Sequence, residues 1–504
     1  MPPSRSVWKR LDDYQQEAVK FFETSKNAAL FFEQGTGKTW ITGGIIERMR
    51  HPEFVALGVV KLSNLESTWV KFLEQEVRIR VCRSLEKFKK QPGPRVLLLN
   101  YEALPRIRKK LQKLRWSLVF YDESQGLKNR SSIASRIAAQ LSRQADRRLI
   151  LSGTPIDERP VDLWAQFRFV APEVFGTRWK DFEDEYLEKI NIDLSTARPG
   201  SLRWHKLQKS LLIRKSKRNL CKNKLPQFME AIRPYALRLT KSILDLPSLT
   251  FIREEIDLWG NQRNLYDEME HDLVSTTLRL TAPLRVIQIG KLQQIAGGFV
   301  VDDDGDTHHV GNAKLRRLRR LVHRYDEPLV IFAKYIAEVL QIATEIRKAG
   351  RRVGVIRGGR GKSRGEIVEA FQSGELDVVV CQIRSGGVGI DLYRARRAII
   401  YSTTHSHIDF DQAISRIHRR GQTKPVFIHK LIAKNTIDEA VDTALGRKVR
   451  STNFILNQLR RPPNGRHERG QAFLQVQRRL PRRGSRGPAR HRPCSAAPAR
   501  HQED

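Results

Sequence analysis

The chain has 504 residues, 40% of them hydrophobic, which allows roughly two to four domains and includes no apolar run long enough to cross a bilayer. Its first residues lack the apolar stretch of a secretory signal. Four scattered cysteines (Cys82, Cys221, Cys381, Cys494) form no CxxC pair, so neither a disulfide scaffold nor a cysteine zinc site is expected. Lys and Arg number 92 against 55 acids, a formal +37, which calls for a polyanion: nucleic acid first, ribosome association or an acidic surface otherwise.

From Ala28 to Val170 short apolar runs alternate with amphipathic segments. AALFF (Ala28 to Phe32), ALGVV (Ala56 to Val60), RVLLLN (Arg95 to Asn100), SLVFYDE (Ser117 to Glu123) and RLILSG (Arg148 to Gly153) read as buried strands. Helical stretches between them imply βαβ units and a parallel sheet with ligands at the strands' carboxyl ends. Where the first strand should turn into a helix stands FEQGTGKTWIT. Gly35, Thr36 and Gly37 let backbone N–H groups curl round phosphates, Lys38 reaches the outer phosphates, and the Thr39 hydroxyl suits Mg²⁺. The longer Walker spacing wants glycine where Phe32 stands, so the shorter GxGKT core carries this reading.

Roughly 80 residues further on, Asp122 ends an apolar strand in a position to hold Mg²⁺ through water, and Glu123 to orient and deprotonate an attacking water. SGTP closes the next strand. There Ser152 and Thr154 are placed to hydrogen-bond the Asp-Glu loop and relay nucleotide state.

Pro172 to Thr240 is rich in charge and aromatics and reads as mostly helical. Ile243 to Phe251 reads as an extended crossing, and Gln262 to Ala296 as helical again. Trp179, Trp204 and Trp259 are expected to pack in cores rather than to stack bases. VDDDGDTHHV (Val301 to Val310) lacks the alternate acids of a calcium loop and reads as an exposed hairpin. Strand-like runs return at Pro328 to Ala333, Arg351 to Arg357, Leu376 to Gln382, Arg396 to Ser402 and Pro425 to Ile432, a second α/β domain of similar build. RSGGVGIDL, with Gly389 and Asp391, is a glycine-rich loop able to approach a phosphate backbone or the nucleotide. In DQAISRIHRRGQ, Gln412, Arg416 and Arg419 recur on one helical face, and such arginines fit a phosphoryl-transfer transition state. From Arg460 the chain has arginine without lysine and few apolar residues, so disorder is expected, as a basic arm or an uninformative tail.

With these motifs in order, the chain resembles the Swi/Snf-type ATPases of the helicase-like superfamily 2. LDDYQ, GTGKT, SNLESTW, DES with LKN, SGTP, GGVGIDL and QAxxRxHRxGQ carry the resemblance from about Trp8 to Val449. It implies two RecA-like lobes with helical protrusions, ATP hydrolysis stimulated by DNA, and translocation along duplex. It also implies that Gln15 reads adenine and that Lys38, Thr39, Asp122 and Glu123 form the ATP site on one lobe, completed by Arg416 and Arg419 from the other. Ser63, Asn64, Ser385 and Gly386 fall where family members touch the DNA backbone. Three positions depart from the family: Gln125 stands for a common histidine, Leu62 for a proline, and Phe32 for a small residue.

The architecture expected is α/β. A RecA-like lobe spans 1–170, its helical protrusion 171–245, a linker and second protrusion 246–310, a second RecA-like lobe 311–458, and a disordered Arg-rich tail 459–504. The expected activity is that of an ATP- and Mg²⁺-dependent motor on double-stranded DNA, acting without a membrane, in a prokaryotic or phage-infected cytoplasm, or in a nucleus if eukaryotic. A strand-separating DNA or RNA helicase is the alternative, and a non-catalytic DNA-binding scaffold the third class.

Overall fold

The computed structural model describes residues 6–157, 159–188, 220–272, 274–275, 280–281, 285–358, 364–386 and 390–459, with backbone alone at 222, 272, 274–275, 280–281, 285–286 and 385–386. Trp204 and Gly389, like the Arg-rich tail from Arg460, lie outside them.

Seven strands make the first sheet: β1 (Asn27–Phe32), β2 (Val55–Val60), β3 (Arg80–Cys82), β4 (Arg95–Asn100), β5 (Trp116–Asp122), β6 (Ala145–Leu151) and β7 (Ala236–Leu239). Their order is β3-β4-β2-β5-β6-β1-β7, and every pairing is parallel. The sequence forces this layering, because a strand covered by helices on both faces is apolar at every position. In β1 all six residues are buried. Ala29 and Phe31 enter the core on one face, and Ala28, Leu30 and Phe32 the core on the other.

The second lobe starts at β8 (Leu249–Ile256). Two short antiparallel hairpins follow, β9 (Val274–Ser275) with β10 (Leu280–Thr281) and β11 (Phe299–Val301) with β12 (Thr307–His309). Then come β13 (Leu329–Ala333), β14 (Val353–Ile356), β15 (Val378–Gln382), β16 (Arg397–Ile400) and β17 (Val426–Ala433). The sheet order is β14-β15-β13-β16-β17-β8, again wholly parallel. The expected two RecA-like lobes are thus present, each a parallel sheet between helical layers.

Three segments differ from expectation. The stretch from Pro172 to Thr240 is not helical throughout: after helices Pro172–Phe175, Trp179–Tyr186 and Leu225–Ile232, β7 returns to pair with β1. Its charged Arg238 hid that strand, yet the side chain is buried with partners, donating to Phe31 O (2.9 Å) and Gly153 O (3.1 Å) and pairing with Glu33. The segment read as an extended crossing runs on into a full edge strand, β8, eight residues in register with β17; its REE sequence masked the pattern. The helical span Gln262 to Ala296 is two helices, Asn261–Asp272 and Arg285–Gly297, split by the β9–β10 hairpin. The hairpin expected at Val301 to Val310 is present as β11–β12, closed by a 2.7 Å bond between the His308 ring and Asp302.

Aromatic packing anchors the helices after β6 to the first lobe. Trp179 meets Trp164 edge-on at 5.0 Å and lies under the Arg130 guanidinium, while Phe175 stacks on Phe228 at 4.7 Å. Trp179 therefore packs as expected. Trp259 does not: it is 50% exposed, with Arg316 over its ring at 4.2 Å.

One buried acid makes a stability prediction. Glu338 is fully buried, and burial pushes its carboxyl up to about 7, although Ser402 and the Tyr335 amide donate to it. The folded chain thus keeps a proton that the unfolded chain releases. The contribution to stability is complete below the ordinary carboxylate range and is lost as pH rises to about 7, about 3 kcal/mol by linkage. Glu338→Gln should flatten the fall of melting temperature between mildly acidic and neutral pH. An unchanged slope in calorimetry would rule out this residue as its source.

Candidate functional site

The chain leaves β1 into a tight loop because Gly35 (φ +86°) and Gly37 (φ +81°) adopt left-handed backbone that L side chains resist. Gly37 caps helix Lys38–Met49, and a Cβ there would sit 2.2 Å from Gln15 Nε2. Gln15 lies in a capping box at the start of helix Asp13–Ser25, and its amide reaches back to Thr36 O at 3.2 Å. Phe32 is the last residue of β1, fully buried, and its carbonyl accepts the Lys38 ammonium at 2.8 Å. That position belongs to the core rather than to the loop, which explains the missing glycine.

Lys38 also donates to Glu33 O (3.2 Å), and burial lowers its pKa against the pull of Glu123 and Asp122. Across the loop, each Asp122 oxygen is held: the Trp69 indole N–H donates to one (2.9 Å), the Glu123 amide to the other (2.9 Å). Burial, then the neighbouring Glu123 charge, raises Asp122 to about 6.

Glu123 sits in left-handed backbone (φ +52°), a strain tolerated where structure over-determines a residue. Burial pushes its pKa up, but Lys61, Lys38 and side-chain donors Gln125 and Gln34 outweigh it, so the carboxyl lies below its ordinary range. Gln34 Nε2 donates to it at 3.0 Å and Gln125 Nε2 at 2.5 Å. Gln125 in turn accepts from Ser152 Oγ at 2.7 Å, and Ser152 caps the Thr154 amide at 3.0 Å. A continuous chain of donors therefore runs from the SGTP turn to Glu123, and the glutamine that departs from the family pattern is its middle link.

The second lobe faces this loop. Gln412, buried on helix His407–Ile414, approaches Glu123 at 3.4 Å. Arg416 donates to Ile390 O (3.4 Å), and burial lowers its guanidinium to about 10 despite Glu123 and Asp411. Arg419 pairs with Asp391, and its Cβ would lie 3.6 Å from a Cβ built on Gly35. Arg420 crosses to Asp12 and to Tyr14 Oη (2.8 Å). Gln15, Gly35, Gly37, Lys38, Thr39, Asn64, Asp122, Glu123, Asp391, Arg416 and Arg419 line one cleft of about 730 Å³ between the lobes.

Some expected residues stand apart from that cleft. Thr36 is fully buried beneath the loop. Ser152 and Thr154 lie one layer behind Glu123. Asn64, expected against nucleic acid, shares the cleft wall with Lys38, while Ser63 sits beside it on the short helix Leu62–Asn64. Ser385 and Gly386 end helix Ile383–Gly386. Sequence reasoning missed Gln34, Trp69, Arg420 and the Arg10–Trp40 pair (4.5 Å) on the cleft wall. Gln34, Trp40, Trp69 and Arg420 all lie inside motifs quoted from the sequence, yet their partners are set only by folding.

Two RecA-like lobes whose strand ends meet over a shared cleft define the helicase-like class of fold. Residues 14–242 match the SNF2-related domain and residues 313–421 the helicase conserved C-terminal domain, in that order, and the chain belongs to this Swi/Snf family. It is 26% identical over 462 residues to an uncharacterized ATP-dependent helicase of Mycoplasma pneumoniae, covering 86% of this chain and 41% of that one. It is 27% identical over 383 residues to the putative ATP-dependent helicase/translocase YwqA of Bacillus subtilis, covering 71% and 38%. The chain thus spans about two-fifths of the length of the curated relatives it matches. A solved Sulfolobus solfataricus SWI2/SNF2 ATPase core in complex with dsDNA aligns over 90% of this chain and 97% of its own, at 20% identity and a TM-score of 0.38. Among the described residues, no helix is long and apolar enough to cross a membrane.

Proposed function

We propose that the chain is a DNA-dependent ATPase that couples ATP hydrolysis to movement along double-stranded DNA. The observation that carries this reading is the two-lobed cleft, where the Lys38 loop and the Asp122–Glu123 pair face Arg416 and Arg419. Lys38, now on strand-end carbonyls, transfers to the outer phosphates, and the loop amides hold the rest. Thr39 and Asp122 are the residues that fit Mg²⁺: one hydroxyl and one carboxylate leave most positions to phosphate oxygens and water. Among the described residues no group of three or more His, Cys, Asp or Glu side chains is gathered to hold a metal ion. When bound, the ion neutralises phosphate charge.

Glu123, ionised at neutral pH, orients the attacking water and accepts its proton. Arg416 and Arg419 neutralise the charge developing on the transferred group. Gln15 reads the base edge. Because the arginines and the loop lie on different lobes, gain and loss of the outer phosphate changes how tightly the lobes hold each other. The Gln125–Ser152 chain carries that change away from the cleft. Ser63, Asn64, Ser385 and Gly386 contact the duplex backbone, a grip on phosphates with little sequence preference. The proposed domain limits remain 1–170, 171–245, 246–310, 311–458 and 459–504, except that β7, inside 171–245, belongs to the first sheet and β8, inside 246–310, to the second. The compartment is that of DNA: a prokaryotic or phage-infected cytoplasm, or a nucleus.

Lys38→Ala is expected to abolish turnover while duplex binding persists. Phosphate release should be stimulated more by duplex than by single-stranded DNA or RNA. Triplex displacement without unwinding would support translocation, whereas unwinding without triplex release, or full turnover in Lys38→Ala, would overturn the reading.

A further inference from the structure

Helix Ala313–Arg324 reads AKLRRLRRLVHR. Leu315, Leu318, Leu321 and Val322 bury one face in the core beneath the second sheet. The opposite stripe, Arg316, Arg319, Arg320, His323 and Arg324, recurs at helical spacing and is exposed throughout. These five side chains alone line a shallow groove of about 600 Å³.

Other cations on this helix are neutralised: Lys314 pairs with Asp438 at 2.6 Å, and Arg317 with Glu254. Within the stripe only Arg319 has a carboxylate, Glu345. Among the described residues no acid pairs with Arg316, Arg320, His323 or Arg324. Arg316 instead lies over the Trp259 ring at 4.2 Å, the exposed indole that core packing did not absorb. A guanidinium fixed on an aromatic ring keeps its donors and charge available for an anion and has less entropy to lose on binding it.

The stripe lies on the far side of the second sheet from the nucleotide cleft. Its core contains Ile331, Val380 and Ile399, whereas the arginine-bearing segment after helix His407–Ile414 packs with Val330, Val379 and Ile400 on the other face. It is therefore separate from the shared cleft, whose wall includes none of these five residues.

Resting on the proposed duplex-tracking function, we propose that this stripe is a second DNA-binding surface, holding the phosphate backbone of a further duplex segment on the back of the second lobe. Several features select the backbone of nucleic acid. The lining is wholly cationic or imidazole, without the apolar centre that a protein partner would want. The helix places its guanidinium groups along about 12 Å, the span of three or four phosphates on one strand. The neighbouring aromatic face is already covered by Arg316, so it offers no platform for an unpaired base, which favours duplex over single strand.

The test uses the full chain with Arg320→Glu/Arg324→Glu, and separately Trp259→Ala, which removes the shelf under Arg316. Binding to a short and a long labelled duplex is followed by anisotropy over a salt series, beside DNA-stimulated phosphate release. The double variant should bind the long duplex roughly tenfold more weakly, with a salt slope shallower by about 2, because each lost phosphate contact removes about 0.9. Affinity for the short duplex and kcat at saturating DNA should stay within about twofold of the parent, which also certifies folding. Trp259→Ala should weaken long-duplex binding a few fold. Equal weakening on both lengths would place the stripe on the main DNA track and overturn the proposal. So would unchanged DNA binding with lost retention on immobilised polyglutamate, which would mark an acidic protein as the occupant. If the parent chain shows no DNA-stimulated turnover, the functional reading fails, while the anisotropy series still decides the stripe.

Discussion

Arg416→Ala hydrolyses ATP about a thousandfold more slowly than the parent chain, with nucleotide affinity reduced far less. The expectation follows from where the residue stands. Arg416 comes from the second lobe, is 7% exposed, and lies in a cleft where Glu123 is the acid that acts on it most strongly. Burial has already lowered its pKa to about 10 against the pull of Glu123 and Asp411, so the site holds a poorly solvated cation. Such a group stabilises charge that grows only in the transition state, and arginines supplied in this way contribute about 10³ or more to kcat. Arg419→Ala should be milder in the resting chain, because Asp391 already neutralises that guanidinium. Steady-state phosphate release with saturating DNA checks both. A kcat within tenfold of the parent for Arg416→Ala would place the arginine in structure rather than in chemistry.

Glu123→Gln should lower kcat by about 10² to 10⁴, the usual contribution of a positioned general base, and leave Mg²⁺ and ATP binding close to the parent's. Glu123 is the convergence point of the site. Gln34, Gln125 and Gln412 all aim amide donors at its carboxylate, and left-handed backbone fixes where it points. Glutamine at this position keeps the size but replaces an acceptor oxygen with a donor facing other donors, so local repulsion adds to the loss of basicity. Single-turnover measurements separate the two effects: slow chemistry with normal binding is expected. Normal chemistry with weak binding would mean that the residue serves the metal instead.

The strands were legible wherever both faces are buried, because β13 is apolar throughout and β1, β4 and β5 carry the unbroken apolar runs Ala28–Phe32, Val96–Leu99 and Leu118–Tyr121. The phosphate loop and the arginine helix were legible because their chemistry needs fixed residues at fixed spacing. What stayed hidden has a common physical cause. Arg238 in β7 and Glu254 in β8 are charged residues buried with partners far away in the chain, Glu33 and Arg317, so alternation of polarity gave the wrong message. Gln34 and Trp69 act only through Glu123 and Asp122, which folding brings to them. Trp259 lies outside the core although tryptophan is usually buried, because its exposed ring is covered by Arg316 from a later helix.

The central claim is that one nucleotide is gripped by both halves of the chain. An experimental structure of the DNA-bound chain with ADP and aluminium fluoride, a mimic of the transferring phosphoryl group, measures it directly. Guanidinium nitrogens of Arg416 and Arg419 and the Lys38 ammonium are all expected within about 3 Å of the fluoride or phosphate oxygens. Fluoride contacts from Lys38 alone, with both arginines left on Ile390 and Asp391, would contradict it.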